Sequence, residues 1–240
     1  MIGITEAGDA GLDLSWVNNL QLVNIIISKF VTVENRPFFD RILANKDKII
    51  LHVTCTGWGG TVIEPGVPTY QQIYEGVKFL IELGFPVSQI VLRVDPIFPN
   101  TKGIARVEKV LDLFRDTGIT RVRYSLLDMY PHVIERFQKV CGKVPYATFQ
   151  ASENNQKMVF DFIQKYDYYT FESCGEPNLP DCIGCISNRD LHILGYTDKC
   201  IGVGGYQRPA CKCLTGKVEL LKNKKQCKGR CLYCYWKTYE

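Results

Sequence analysis

Short runs of β-branched and aromatic residues alternate through residue 172 with stretches of helical periodicity, and this alternation limits the fold more than any other feature. The expected strands are Ile2 to Thr5, Val23 to Ser28, Ile49 to Thr54, Ile90 to Val94, Val122 to Leu126, Tyr146 to Phe149 and Tyr168 to Phe171. Between them, Ile73, Val77, Leu80 and Ile81 fall on one helical face before Gly84, and Ile104, Val107, Val110, Leu111 and Phe114 do so before Gly118. Helices are also expected over Pro131 to Cys141 and Asn154 to Tyr166. Strands that alternate with helices form βα units around a mainly parallel sheet. Seven such units suit a TIM-like (β/α) barrel, full or partial, better than an open nucleotide-binding sheet, because no glycine-rich GxGxxG turn follows the first strand.

Beyond residue 172 the periodicity gives way to a region rich in Cys, Gly and Pro. The chain therefore divides into βα units over 1–172 and a cysteine-rich region over 173–240 that closes the same domain. A chain of 240 residues needs no covalent staples to build a core, yet it carries eleven cysteines, an odd number that disulfides alone cannot satisfy. The N-terminus has no signal-peptide pattern, and no window reaches the roughly 18 apolar residues of a membrane span. The expectation is a cytoplasmic protein, not membrane-bound, where clustered thiols more often bind metal or do redox chemistry.

Charge is uneven. From Arg189 onward eleven Lys or Arg stand against four Asp or Glu, a balance of +7 that leaves −3 for residues 1–188. A basic segment around cysteines suits phosphates or an acidic partner, and equally describes a solvated lysine-rich loop.

Barrel active sites lie at the C-terminal ends of the strands. Those positions carry Thr5, Glu6 and Asp9; Ser28 and Lys29; Thr54, Cys55 and Thr56; Arg93 and Asp95; Ser125 and Asp128; and Glu172, Cys174 and Glu176. Helix capping accounts for many of the Ser, Thr and Asp residues but poorly for the two cations. Arg93 is either paired with Asp95 inside the rim or aimed at an anionic ligand. His52 lies in an apolar strand and reads as a buried residue rather than a base. Hydrolase and triphosphatase motifs are absent.

Cys55 and Cys141 are isolated and suit packing, whereas the other nine cysteines fall between Cys174 and Cys234. Cys227, Cys231 and Cys234 form CxxxCxxC, with Tyr233 before the last cysteine. Three thiolates on one loop can hold three irons of a [4Fe-4S] cluster and leave the fourth open. Zinc, which favours paired CxxC knuckles, and a disulfide are the alternatives. Cys174, Cys185, Cys211 and Cys213, with Cys182 as a substitute, are the choice for a second cluster.

The loop CKGRCLYCY, Cys227 to Tyr235, resembles the cluster loop of radical S-adenosylmethionine (SAM) enzymes. More closely, the chain resembles an uncharacterised bacterial and phage family of radical-SAM-like proteins that carry this loop C-terminally. The matching stretches are Thr54 to Pro68, Arg93 to Ile97, Ser125 to Tyr130, Ser173 to Pro177 and Cys211 to Tyr235. The resemblance implies a SAM-cleaving [4Fe-4S] cluster, Tyr233 beside the adenosyl group, an electron donor as partner and an unknown small-molecule or nucleic-acid substrate. Glu6, Lys29, Thr56, Arg93, Asp95, Asp128 and Glu176 are the candidates for SAM or substrate contacts. Gly175 to Pro177 resembles a GGEP segment that holds the SAM amino group, with Cys174 in place of the first glycine. Ordinary members place the cysteine loop after the first strand, so here the barrel would be permuted, with Val218 to Leu221 as the strand before the loop. The rival expectation is a zinc- or cluster-stapled nucleic-acid-binding module without catalysis. A third is an iron–sulfur protein that transfers electrons without cleaving SAM.

Overall fold

The computed structural model describes residues 1–173, 175–176, 182–197, 212–222 and 227–236. Its centre is a seven-stranded, wholly parallel sheet. The strands are β1 (Ile2–Ile4), β2 (Val23–Ser28), β3 (Ile49–Thr54), β4 (Ile90–Ile97), β5 (Arg121–Leu126), β6 (Thr170–Ser173) and β7 (Lys217–Glu219). In space the order is β6-β5-β4-β3-β2-β1-β7, so each strand from β1 to β6 lies beside its predecessor. β7 returns to pair with β1, with Ile2 opposite Lys217 and Ile4 opposite Glu219. Among the described residues β6 and β7 do not pair, and the sheet is open rather than closed into a full barrel.

Among the described residues six α-helices connect or follow the strands: α1 (Arg36–Ala44), α2 (Tyr70–Glu82), α3 (Thr101–Phe114), α4 (Pro131–Cys141), α5 (Glu153–Ile163) and α6 (Asn188–Ile193). Local chemistry sets their ends. Thr69 and Gln72 form a reciprocal capping box at the start of α2, and Gly84, at φ 91°, takes the left-handed conformation that ends it. Asn100 accepts the Gly103 N–H at 2.9 Å to open α3.

Period-two alternation in the strands divides the interior. Ile26, Leu51, Val53, Leu92, Val94 and Val122 face the helices, where Phe38, Val77, Leu80, Val110, Leu111 and Phe114 complete the main core. The opposite face, carrying Ile2, Ile4, Val23, Ile25, Ile50 and Val91, is covered by Cys185, Ile186, Leu191 and Cys213. Right-handed crossovers wound in one direction put their helices on one face. The cysteine-rich region supplies the cover for the other.

Two strand expectations change. Tyr146–Phe149 is not a strand; the segment between α4 and α5 is irregular, and the Phe149 carbonyl accepts the Met129 N–H at 2.8 Å. Pro145 has no donor for a ladder, and Tyr146 packs against the core instead of alternating across a sheet. β6 starts two residues later than Tyr168, because Tyr169 turns inward and donates to the Leu111 carbonyl at 2.6 Å. The strand expected at Val218 to Leu221 runs over Lys217–Glu219. Among the described residues no helix is long and apolar enough to cross a membrane.

Candidate functional site

The C-terminal ends of β1 to β5 carry polar groups, and the cysteine loop 227–236 lies against them. Its anchors are backbone contacts. Gly66 N–H donates to the Gly229 carbonyl at 3.1 Å, and Leu232 N–H donates to the Ile63 carbonyl at 2.9 Å. The approach at Gly66 is so close that a Cβ there would stand 2.2 Å from the Lys228 carbonyl oxygen. Arg136 on α4 donates to the Cys234 and Trp236 carbonyls, each at 2.6 Å, and fastens the far end of the loop. Leu232 packs among Trp58, Phe98, Leu127, Met129, Val133 and Phe137. The cysteine loop is thus seated on the connection that follows β3 and on α4.

Within the loop, Cys227 and Cys231 Sγ each lie 3.6 Å from the point a Cβ on Gly229 would occupy, so they are no further apart than twice that distance. Burial pushes the Cys231 thiol far up and, by less, those of Cys227 and Cys234. The Lys29 ammonium opposes that rise at all three, and Arg136 adds to it at Cys234. One cation therefore favours three thiolates. Among the described residues no three His, Cys, Asp or Glu side chains converge closely enough to hold a single metal ion.

Lys29, immediately after β2, is half-buried beside Glu64 and Tyr233. Its Nζ donates to Glu64 Oε1 at 2.9 Å and to Tyr233 Oη at 2.8 Å, while Tyr233 Oη donates to the same Glu64 oxygen. Burial alone would depress the Lys29 pKa, but Glu64, Cys231 and Asp95 outweigh it and raise the value above that of an ordinary lysine. Burial, with Glu64 and Cys231 nearby, pushes the Tyr233 phenol well up, while a hydrogen bond with Thr56 opposes the rise. The ring is therefore a protonated donor fixed by Lys29, Glu64 and Thr56, with Phe98 edge-on at 5.9 Å. Asp9 organises the backbone beneath: it accepts Gly11 N–H at 2.9 Å, Ser28 Oγ–H at 2.7 Å and Lys29 N–H at 2.8 Å.

Further along the rim, Arg93 pairs with Asp95, whose other oxygen accepts Ser125 Oγ–H. Glu176 Oε1 accepts the Leu126 N–H at 2.7 Å. Its carboxyl is pushed up to about 7, first by burial and then by Asp128 and Asp95, against the pull of that hydrogen bond. Asp95, Asp128 and Glu176 thus form one acidic group over β4 and β5. Glu6 stands apart. Its carboxylate accepts from Lys217 Nζ at 3.2 Å, and its carbonyl accepts from Tyr235 Oη of the loop at 3.0 Å.

The second set of cysteines lies elsewhere. Cys185 N–H donates to Cys213 Sγ at 3.1 Å on the sheet face covered by α6. Cys182 bridges to Ser173 as an isolated parallel pair. Cys174, Cys211 and Pro177 lie outside the described residues. Cys55 is buried among apolar neighbours, with its thiol pushed up to about 12 by burial.

Sequence reasoning overlooked Glu64 and Arg136. Glu64 sits nine residues beyond Cys55, beside Pro65 and Gly66, in a connection whose path is invisible to periodicity. Arg136 lies on an amphipathic helix where a cation ordinarily faces water. No curated protein and no solved structure matches this chain. The family model described as a domain of unknown function, DUF1848, matches residues 16–236, and the chain belongs to that family.

Proposed function

We propose that this chain is a radical-SAM-like iron–sulfur enzyme, built as a permuted partial (β/α) barrel whose cluster loop follows β7. The observation that carries the proposal is the seating of Cys227, Cys231 and Cys234 over the strand ends, with Lys29 as the cation common to all three thiols. The donor set suits a [4Fe-4S] cluster: soft thiolates, two sulfurs around a glycine without a side chain, and a half-buried positive charge that offsets their ionisation. Cluster ligands bind separate irons, so they need not converge on one point as zinc ligands do. When bound, the cluster supplies one electron for the cleavage of SAM, and the resulting radical abstracts hydrogen from a substrate.

The chain's own residues bind, orient and exclude water. Tyr233, pinned by Lys29, Glu64 and Thr56, offers a fixed ring face next to the cysteines for the adenosyl group. Glu176, with Asp95 and Asp128, offers carboxylates for the SAM amino group or for a cationic part of the substrate. Arg93 is held by Asp95 and sets that carboxylate's position. Cys185 and Cys213 are the described members of a second cluster site.

Anaerobic reconstitution with iron and sulfide is the test. The expected product is brown, contains iron and acid-labile sulfide, and yields 5′-deoxyadenosine when reduced with SAM. Cys231→Ala should abolish that yield. A colourless preparation that holds only zinc would overturn the reading in favour of the metal-stapled nucleic-acid module. A brown protein that leaves SAM intact would assign it to electron transfer.

A further inference from the structure

Behind the cysteine loop, on the outer side of the connection that follows β3, lies a pocket of about 350 Å³. Trp58, Phe98 and Phe137 give it an aromatic floor: Trp58 and Phe98 pack with ring centres 5.1 Å apart, and Phe98 meets Phe137 edge-on at 5.8 Å. Lys102, Arg106 and Lys143 stand around it, and among the described residues no Asp or Glu lines it. The Lys102 ammonium lies 5.7 Å and the Arg106 guanidinium 5.1 Å from the Trp58 ring centre. Among the described residues none of these three cations takes part in an ion pair. By contrast, the hollow between α3 and α5 carries an acidic side chain of its own, Asp161, which is paired with Lys157.

We infer that this pocket is a binding site for a small anion with a flat apolar body, of the class of an aromatic carboxylate or phosphate. Three cations of like sign around one apolar hollow repel one another, and an anion among them relieves that repulsion. An aromatic floor with a few convergent polar groups, in a volume of roughly 300–1,000 Å³, is the usual form of a small-molecule site. A simple phosphate would leave the floor uncovered, and a neutral aromatic would leave the cations unpaired. Both halves of the site therefore specify the ligand. The pocket is independent of the cluster proposal, since it needs neither iron nor SAM.

Calorimetric titration of the full chain with 1-naphthyl phosphate, 1-naphthol and inorganic phosphate tests the inference. The phosphate ester should bind at one site, roughly tenfold or more tighter than either of the other two. Arg106→Gln and Lys143→Gln should each weaken it about five- to tenfold, and added salt should weaken it further. Lys143 is exposed, so its variant keeps the experiment decisive if the Arg106 variant, which also loses packing on Trp58, fails to fold. Equal affinity for the ester and for inorganic phosphate, unchanged affinity in a folded Lys143→Gln protein, or no binding would overturn the proposal.

Discussion

His52 shows how one residue carries a pH dependence. Its side chain is fully buried in β3, and its ring nitrogens have no hydrogen-bond partner among the described residues. Burial, then Arg123 and Arg93, lower its pKa well below the ordinary 6.5. In the unfolded chain the imidazole takes a proton as pH falls through that value, while in the folded state it does not. The unfolded state therefore binds more protons below about pH 6.5, and stability drops by roughly 1.4 kcal/mol per pH unit until the folded pKa is reached. His52→Leu should remove that slope, as read by urea denaturation between pH 5 and 7, taken as roughly the histidine titration range. Lys29 gives a second prediction at this scale. Lys29→Met strands the Glu64 carboxylate, which is 1 % exposed, and should cost about 3–5 kcal/mol. Adding Glu64→Gln should recover much of that loss, since the uncompensated charge then disappears.

At the scale of elements, the cysteine loop depends on the connection between β3 and α2. Gly66 does not take a left-handed conformation; its requirement is space, because the Lys228 carbonyl occupies the volume of any side chain. Gly66→Ala should push the loop outward at a cost of about 1–3 kcal/mol. The measurement is the iron content after anaerobic reconstitution beside the melting temperature, with the iron content expected to fall more than overall stability. The sequence made the helices legible because periodicity and caps are local: α4 runs over Pro131–Cys141, as its pattern dictates. It misplaced Tyr146–Phe149 because four aromatic-rich residues satisfy a strand pattern whether or not a neighbouring strand exists to pair with them.

For the whole molecule, an ionic network joins the sheet to the cysteine-rich region. Arg121 on β5 reaches Asp190 of α6 at 2.7 Å and Glu172 of β6 at 3.3 Å, and Arg123 reaches Glu172 at 2.7 Å. Arg123 also donates to the Gly184 carbonyl. All four side chains are at most 3 % exposed, so two arginines and two carboxylates balance one another away from water. Glu172→Gln leaves both guanidinium groups to Asp190 alone and should destabilise the fold by about 3–5 kcal/mol. The same variant should expose residues 182–197 to limited proteolysis before the helical layer is cut, because that segment loses the Arg189–Glu172 pair that ties it to β6 and keeps only Asp190 as its charged attachment to β5.

The sequence by itself determined the βα alternation, the parallel sheet and the cysteine spacing, since each follows from local periodicity or from positions a few residues apart. It also brought Lys29, Thr56, Arg93, Asp95 and Asp128 to strand ends, because βα geometry fixes that end of every unit. Only the tertiary structure decided their partners. Glu64 and Tyr233 are separated by 169 positions yet share a proton donor and acceptor. Arg121 and Arg123 alternate along β5 on the face that residues 182–191 fold over and bury. The placement of the cysteine loop was decided in the same way, by β7 returning to the edge of β1: a pairing across more than 200 residues leaves no local pattern, because its energy comes from contacts that exist only once both ends are in place.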